Sequence, residues 1–439
     1  MTRQHPPYVR ASSGHFQRLR RYLGGGLIAL FVLLPWLSWQ GRQAILLSFS
    51  ERQFHLFSIT LWPQDFILLA LLFAIAAFAL FAITTWLGRV WCGFTCPQTV
   101  WTFIFLWFEE KLEGPANKRK RQDGLPWSLA LYARKTLKHM AWWLISLLTG
   151  ATFIGYFVPI HSLFYDLITL NLWDSRGGWV LFFAVCTYGN AGWMRSIMCT
   201  HMCPYARFQS VMYDDATITV SYDQQRGEPR GKQRKGEQNN LGDCVDCNLC
   251  VEVCPPRIDI RQGLQYECID CGACVDACNH TMQRFGKAPN LIGYHAESKQ
   301  KLAARPKLLG YALITLIALL IFSLMINART TMTLTVIRDR QQLYQYNNQG
   351  LLENSYQLVI SNKTQQTHTY QLSLMDNTAW IWQGPKTLKV EANARRSILI
   401  TLAADPETLN QQIYPITFVL QQADQQVTHH SRFISDYQE

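Results

Sequence analysis

The sequence predicts a multi-domain protein: an α-helical membrane bundle of about five spans, a cysteine-rich α+β insert, and a C-terminal β-sandwich. Three observations carry this. Long apolar stretches recur from residue 23 to 326, eight of thirteen cysteines fall within the 35 residues from Cys244 to Cys278, and the tail from Thr330 alternates with period two. At 439 residues there is room for about three units of roughly 150 residues each. The net charge of +11 does not point to nucleic acid, because the basic residues flank apolar stretches rather than forming one face beside an aromatic platform.

Crossing a hydrocarbon layer ~30 Å thick takes roughly 20 mostly apolar residues. Residues 65–87, 139–158, 178–198 and 307–326 meet that need. A fifth stretch, 23–39, is shorter, with Trp36 and Trp39 at its outer edge and Arg18, Arg20 and Arg21 before it. It reads as an anchor rather than a cleaved signal, since Pro35-Trp36-Leu37-Ser38-Trp39 offers no small-residue cleavage site. Basic residues gather on the cytoplasmic side of short loops. Residues 1–21 carry five Arg, 40–62 only Arg42 and Arg52, 88–138 nine Lys or Arg, and 159–177 only Arg176. This alternation places the N-terminus and residues 199–306 in the cytoplasm and residues 327–439 outside it. Residues 97–112 are too short to span and read as an interfacial or re-entrant helix. The domain plan is therefore a basic N-terminus (1–22), a four-span domain (23–204), a cytoplasmic insert (205–306), a fifth span (307–326) and an outer domain (327–439). Within the insert, the polar, basic stretch 222–242 reads as a linker or surface arm.

The insert holds Cys244-Val-Asp-Cys247-Asn-Leu-Cys250-Val-Glu-Val-Cys254 and Cys268-Ile-Asp-Cys271-Gly-Ala-Cys274-Val-Asp-Ala-Cys278, each C-x₂-C-x₂-C-x₃-C. Structural zinc sites use paired cysteines with longer gaps; three cysteines at two-residue gaps wrap one face of a cubane, and the fourth reaches the other cube. Two [4Fe-4S] clusters follow, one on Cys244, Cys247, Cys250 and Cys278, the other on Cys268, Cys271, Cys274 and Cys254. Asn279 stands where bacterial ferredoxins usually carry Pro, a residue that ligates nothing.

A second motif, C-x₃-C-P, occurs twice: Cys92-Gly-Phe-Thr-Cys96-Pro97 and Cys199-Thr-His-Met-Cys203-Pro204. On a helix the spacing sets two thiols one turn apart, and both copies lie at the cytoplasmic membrane face. Four thiols meeting there suit copper(I), zinc or another thiophilic centre, with His201 and Met202 as further candidate ligands. The plainer reading is that the cysteines, and Met194, Met198 and Met202, are packing residues. Cys186, alone inside a span, reads as packing.

In the tail, about seven short strands bounded by Asn, Gly, Pro and Asp fit a sandwich of immunoglobulin-like size. It has no cysteine, and an interaction or structural role suits it.

These residues resemble the cytochrome c oxidase accessory proteins known as CcoG, FixG or RdxA. The likeness rests on Val90-Trp91-Cys92-Gly93, Cys96-Pro97-Gln98-Thr99-Val100-Trp101, Cys203-Pro204-Tyr205-Ala206-Arg207-Phe208-Gln209, Tyr222-Asp223, Arg226-Gly227-Glu228-Pro229-Arg230-Gly231, both cluster motifs and Ile258-Asp259-Ile260-Arg261. Where the family usually has Gly, Arg257 stands. The resemblance implies a bacterial inner-membrane protein that reduces Cu(II) to Cu(I) for maturation of the cbb3-type cytochrome c oxidase. Oxidase subunits and copper-delivery proteins would be its partners, and the sequence names no electron donor. Two alternatives stand beside it: a quinol-oxidising membrane ferredoxin of the NapH type, and a non-enzymatic copper scaffold whose clusters are structural.

Overall fold

The computed structural model describes residues 8–49, 52–62, 65–171, 173–232, 241–296, 298, 305–328, 330–339, 342–375, 380–423 and 425–436. The chain divides into two compact units, Met1–Ser323 and Leu324–Glu439.

Among the described residues, three helices are long and apolar enough to cross a membrane: His15–Trp36, Phe66–Leu87 and Pro306–Asn327, the last of which ends beyond the first unit. At 22 residues each they reach about 33 Å. The first begins at His15, eight residues before the expected start. Asp276 explains the extension: its carboxylate accepts from the N–H groups of Phe16 (3.2 Å) and Gln17 (2.8 Å). A carboxylate at the positive end of a helix stabilises it by about 0.3–1 kcal/mol. Gly14 permits the approach, since a Cβ there would stand 2.3 Å from Asp276 Cγ. The arginines read as a tail thus belong to the helix, and Arg20 is buried.

The other two expected spans take a different form. Residues 139–154 lie in the 26-residue helix Leu129–Ile154, whose first turns carry Arg134, Lys135 and Lys138. The stretch 178–198 is not one helix. Ser175–Thr187 is α-helical, Tyr188–Met194 widens to a π-helix, and Arg195 at φ 46° ends it. Met194, Met198 and Met202 therefore do not form one stripe. The helices Leu129–Ile154 and Ser175–Thr187 cross closely at Gly150, where a Cβ would come within 2.6 Å of Val180 O.

The interfacial helix forms over Pro97–Glu113. Glu109 near its end is buried and pairs with both Arg119 and Arg195, while Glu113 pairs with Lys138. The segment 40–62, left as a loop by the sequence, contains a three-stranded antiparallel sheet of Ile45–Ser48, Gln53–Leu56 and Ile59–Leu61.

The insert centres on the strand pair Thr219–Tyr222 and Ile292–His295 and the helix Ala273–Phe285. The expected linker is folded at its start: Arg226 bonds Asp243 Oδ2 (2.6 Å), Pro289 O (2.9 Å) and Ala288 O. Its residues 233–240 lie outside the described residues.

The second unit is a β-sandwich. One sheet runs Ile381–Gln383, Arg395–Ala404, Leu352–Asn362, Met332–Arg338, with Gln345–Tyr346 beside Leu352–Asn362. The other runs Thr387–Val390, His368–Leu374, Ile413–Gln422, Gln425–Ile434. Alternate inward residues, among them Tyr356, Leu358, Tyr370, Phe418 and Phe433, fill the space between the sheets, the pattern that two solvated outer faces impose.

Candidate iron–sulfur and thiol sites

The two cysteine motifs fold into matching loops. Asp246 (φ 50°) and Asn248 (φ 57°) flank Cys247, and Asp270 (φ 48°) and Gly272 (φ 69°) flank Cys271. Asp, Asn and Gly are the residues that accept this left-handed conformation. Placed on both sides of a cysteine, they turn successive N–H groups toward one concave side, a nest for negative charge.

Two cavities open inside these loops. Cys244, Cys247, Cys250 and Cys278 line one; Cys254, Cys268, Cys271 and Cys274 line the other, where Cys250 also contributes. The chain thus brings each fourth cysteine to the other motif's loop. Burial pushes the Cys250 thiol up to about 11 and those of Cys254 and Cys278 up to about 12, and it also raises those of Cys268 and Cys274. Loading iron displaces those protons. Among the described residues, no three His, Cys, Asp or Glu side chains gather as the ligands of a single ion. Eight sulfurs spread around two cavities, facing N–H groups, suit cubes instead.

Both departures from the usual motif have local reasons. Asn279 sits inside the helix Ala273–Phe285, where proline would remove a backbone donor. Its side chain accepts from Asn290 N (2.7 Å) and donates to Asn290 Oδ1 (3.3 Å). Arg257 has φ 60°, the left-handed conformation that glycine adopts without strain. A left-handed non-glycine residue costs about 1–2 kcal/mol. Arg257→Gly is expected to stabilise the protein by about 1 kcal/mol, read as a higher thermal midpoint; an unchanged or lower midpoint would contradict the strain.

Arg89, which the sequence did not single out, ties the Phe66–Leu87 helix to the second loop. It is 5% exposed and donates to Cys268 O (3.0 Å), Ala206 O (2.9 Å) and Tyr266 O. Its own N–H donates to the buried Asp270 (2.8 Å), which also accepts from Val220 N (3.1 Å). Burial raises the Asp270 carboxyl above the usual range. Next along the chain, a Cβ at Gly93 would lie 2.7 Å from Ile269 O and 2.9 Å from Cys271 Cα. Only glycine lets the Cys92 segment lie this close to the loop.

Contrary to expectation, neither C-x₃-C-P pair lies along one helix. Proline disfavours helical geometry in the residue before it. Cys96 (ψ 128°) and Cys203 (ψ 111°) are accordingly extended and precede new helices, Pro97–Glu113 and Pro204–Met212. In both copies the second cysteine's N–H reaches back five residues, to Trp91 O and Met198 O, both at 2.9 Å. The copies are also cross-linked. Gln98 Nε2 donates to Asn190 O (2.9 Å) and Arg195 O (3.2 Å), ahead of the second copy. Gln209, after the second copy and fully buried, contacts Cys92 Sγ at 3.3 Å.

Burial pushes the Cys92 thiol up to about 12 and that of Cys199 up to about 11. It raises Cys96 too, opposed by the N–H groups of Thr99 and Gln98. Cys92 and Cys199 lie within electrostatic reach of each other, as do Cys96 and both cysteines of the second copy. The thiols of the two copies thus feel one another, although among the described residues no three of them close up as ligands of one ion. His201 and Met202 are exposed, and His201 Nδ1 is engaged with Thr200 Oγ1 at 2.7 Å. Cys186 lies in the helix Ser175–Thr187.

Comparison with known proteins agrees with this layout. The 4Fe-4S dicluster domain family matches residues 194–297, and the IG-like fold at the C-terminus of FixG matches residues 322–436. Protein RdxB of Cereibacter sphaeroides is 34% identical over 434 residues, covering 94% of this chain and 89% of RdxB. Protein RdxA of the same organism is 35% identical over 438 residues, covering 92% and 91%. The nitrogen fixation protein FixG of Rhizobium meliloti is 34% identical over 415 residues, covering 84% and 78%. A crystal structure of a FixG-related protein from Vibrio parahaemolyticus covers 25% of this chain and 100% of its own at 34% identity, with a TM-score of 0.24. With its paired cysteine loops, apolar helices and β-sandwich, the chain belongs to the RdxA, RdxB and FixG family and is a membrane ferredoxin-type protein that transfers electrons through iron–sulfur clusters.

Proposed function

We propose that this protein reduces Cu(II) to Cu(I) at a thiol site of Cys92, Cys96, Cys199 and Cys203, and supplies the copper for assembly of a cbb3-type cytochrome c oxidase. One [4Fe-4S] cluster is held by Cys244, Cys247, Cys250 and Cys278, the other by Cys268, Cys271, Cys274 and Cys254. Bound clusters supply one-electron transfer, and one electron converts one Cu(II) to Cu(I). The observation that carries the reading is the contact at Gly93, which sets the Cys92 segment directly on the backbone of the Cys271 loop. Thiolates favour the cuprous state. The second motif copy reaches the same place through Gln98 and Gln209, so the soft ligands stand beside the electron source. His201 and Met202 are at most outer ligands, serving entry or handover.

Replacing all four cysteines by serine is expected to abolish copper binding while leaving about eight irons per chain, the content of two cubes. Oxidase activity should fall most under copper limitation. A quadruple variant that binds copper normally and supports full oxidase activity on scarce copper ends this proposal.

The bundle is placed in the bacterial inner membrane with five crossings, the N-terminus and the cluster domain cytoplasmic and the β-sandwich periplasmic. The support is the Lys and Arg asymmetry of the loops. A phosphatase reporter fused after Glu439 should be active, since it folds only outside the cytoplasm. An inactive fusion, with a cytoplasmic reporter active at the same place, would show an even number of crossings.

A further inference from the structure

A cavity of about 430 Å³ opens between the first long helix and the interfacial helix, lined by Gln17, Arg20, Gly25, Phe103, Trp107 and Glu110 among others. Its volume and its largely apolar, aromatic wall suit a small ligand rather than water. Arg20 sits at its inner end. This side chain is 4% exposed, lies 4.1 Å over the Phe103 ring, and donates through Nη2 to Cys271 O at 2.9 Å. Its Nε and Nη1 are buried and have no hydrogen-bond partner, and the same holds for Gln17 Oε1. Leaving such groups unpaired is costly, so the cavity is short of acceptors for the two Arg20 nitrogens and of a donor for Gln17. Val253, next to Cys254, also lines it, and Arg20 joins its wall to Cys271 O; both cysteines belong to the set around the second cavity of the cluster loops.

We propose that this cavity binds the ring of a membrane quinol. A quinol carries apolar faces for Phe103 and Trp107, an oxygen that accepts from Arg20, and a hydroxyl that donates to Gln17 Oε1. Its isoprenoid tail leaves past Gly25 into the lipid beside the helix His15–Trp36. An anionic lipid headgroup fits less well. Of the three arginines lining the cavity, Arg10 is paired with Glu252 at 3.1 Å, Arg21 is exposed at the surface and only Arg20 is buried with open donors, while the Gln17 oxygen and Glu110 carboxylate repel an anion. Oxidation of one quinol to quinone releases two electrons and two protons. Both protons pass to water, and the Glu110 carboxylate lines the same cavity. The two iron–sulfur clusters, when bound, supply the two one-electron acceptors.

This inference rests on the electron-transfer reading and adds the donor; it does not depend on copper. Gly25 offers a clean test, because a Cβ there meets no atom within 4 Å. Gly25→Leu should fill the cavity without disturbing the fold. Equilibrium binding of a radiolabelled short-chain ubiquinone to the full-length protein in nanodiscs should be saturable at about one per chain. Affinity should fall at least tenfold in Gly25→Leu and in Arg20→Gln, with iron and copper contents unchanged in Gly25→Leu. Absence of saturable binding, wild-type affinity in Gly25→Leu, or displacement of the quinone by anionic but not zwitterionic phospholipid would each overturn the proposal. Copper measured on the same samples tests the thiol site separately.

Discussion

Cys254→Ser is expected to lower the iron content from about eight to about four per chain and to remove the signal of the cluster held by Cys268, Cys271 and Cys274. Cys254 belongs by sequence to the first motif, yet it lines the second cavity. Its neighbours there are buried thiols, and burial holds its own thiol up at about 12. Serine in that position offers a much weaker soft-metal ligand. Electron paramagnetic resonance of the reduced variant distinguishes the clusters. Loss of the Cys244 signal alone would mean that each motif keeps its own fourth ligand.

Arg89→Ala should have an effect of similar size from outside the ligand set. The guanidinium serves three carbonyls on two segments, those of Tyr266, Cys268 and Ala206. Removing it strands buried acceptors at about 1–3 kcal/mol each, against a total stability of about 5–15 kcal/mol for a typical domain. The variant is expected to lose the second cluster first and to become protease-sensitive near residue 266. Arg89→Lys should restore part of the iron, since an ammonium can reach some of the three acceptors but lacks the planar fork. Full iron and an unchanged thermal midpoint in Arg89→Ala would show that the contact does not position the loop.

The two C-x₂-C-x₂-C-x₃-C runs were legible because ligand spacing is a local property, written in consecutive residues. The longer sandwich strands, from Met332–Arg338 to Gln425–Ile434, are legible for the same reason, while the short Gln345–Tyr346 and Ile381–Gln383 are not. The apolar helices Phe66–Leu87 and Pro306–Asn327 came within about a residue of their expected bounds, because burial in lipid needs only composition and length. The segment 178–198 was misread as one helix. Apolar content does not report where a backbone widens to a π-helix or turns left-handed at Arg195.

Composition, spacing and alternation by themselves determined that this chain holds iron–sulfur clusters, has apolar helices of membrane length and ends in a β-sandwich. Tertiary structure decided which groups meet. It lengthened the first helix by placing Asp276 at its N-terminus, 260 residues away in sequence. It brought Gln98 and Gln209 across from one thiol motif to the other, and it set Arg20 between a cavity and Cys271 O. Such contacts join segments whose separation no periodicity encodes. An arginine reads as loop charge in the sequence and becomes a buried, partly unpaired donor only once the chain has closed around it.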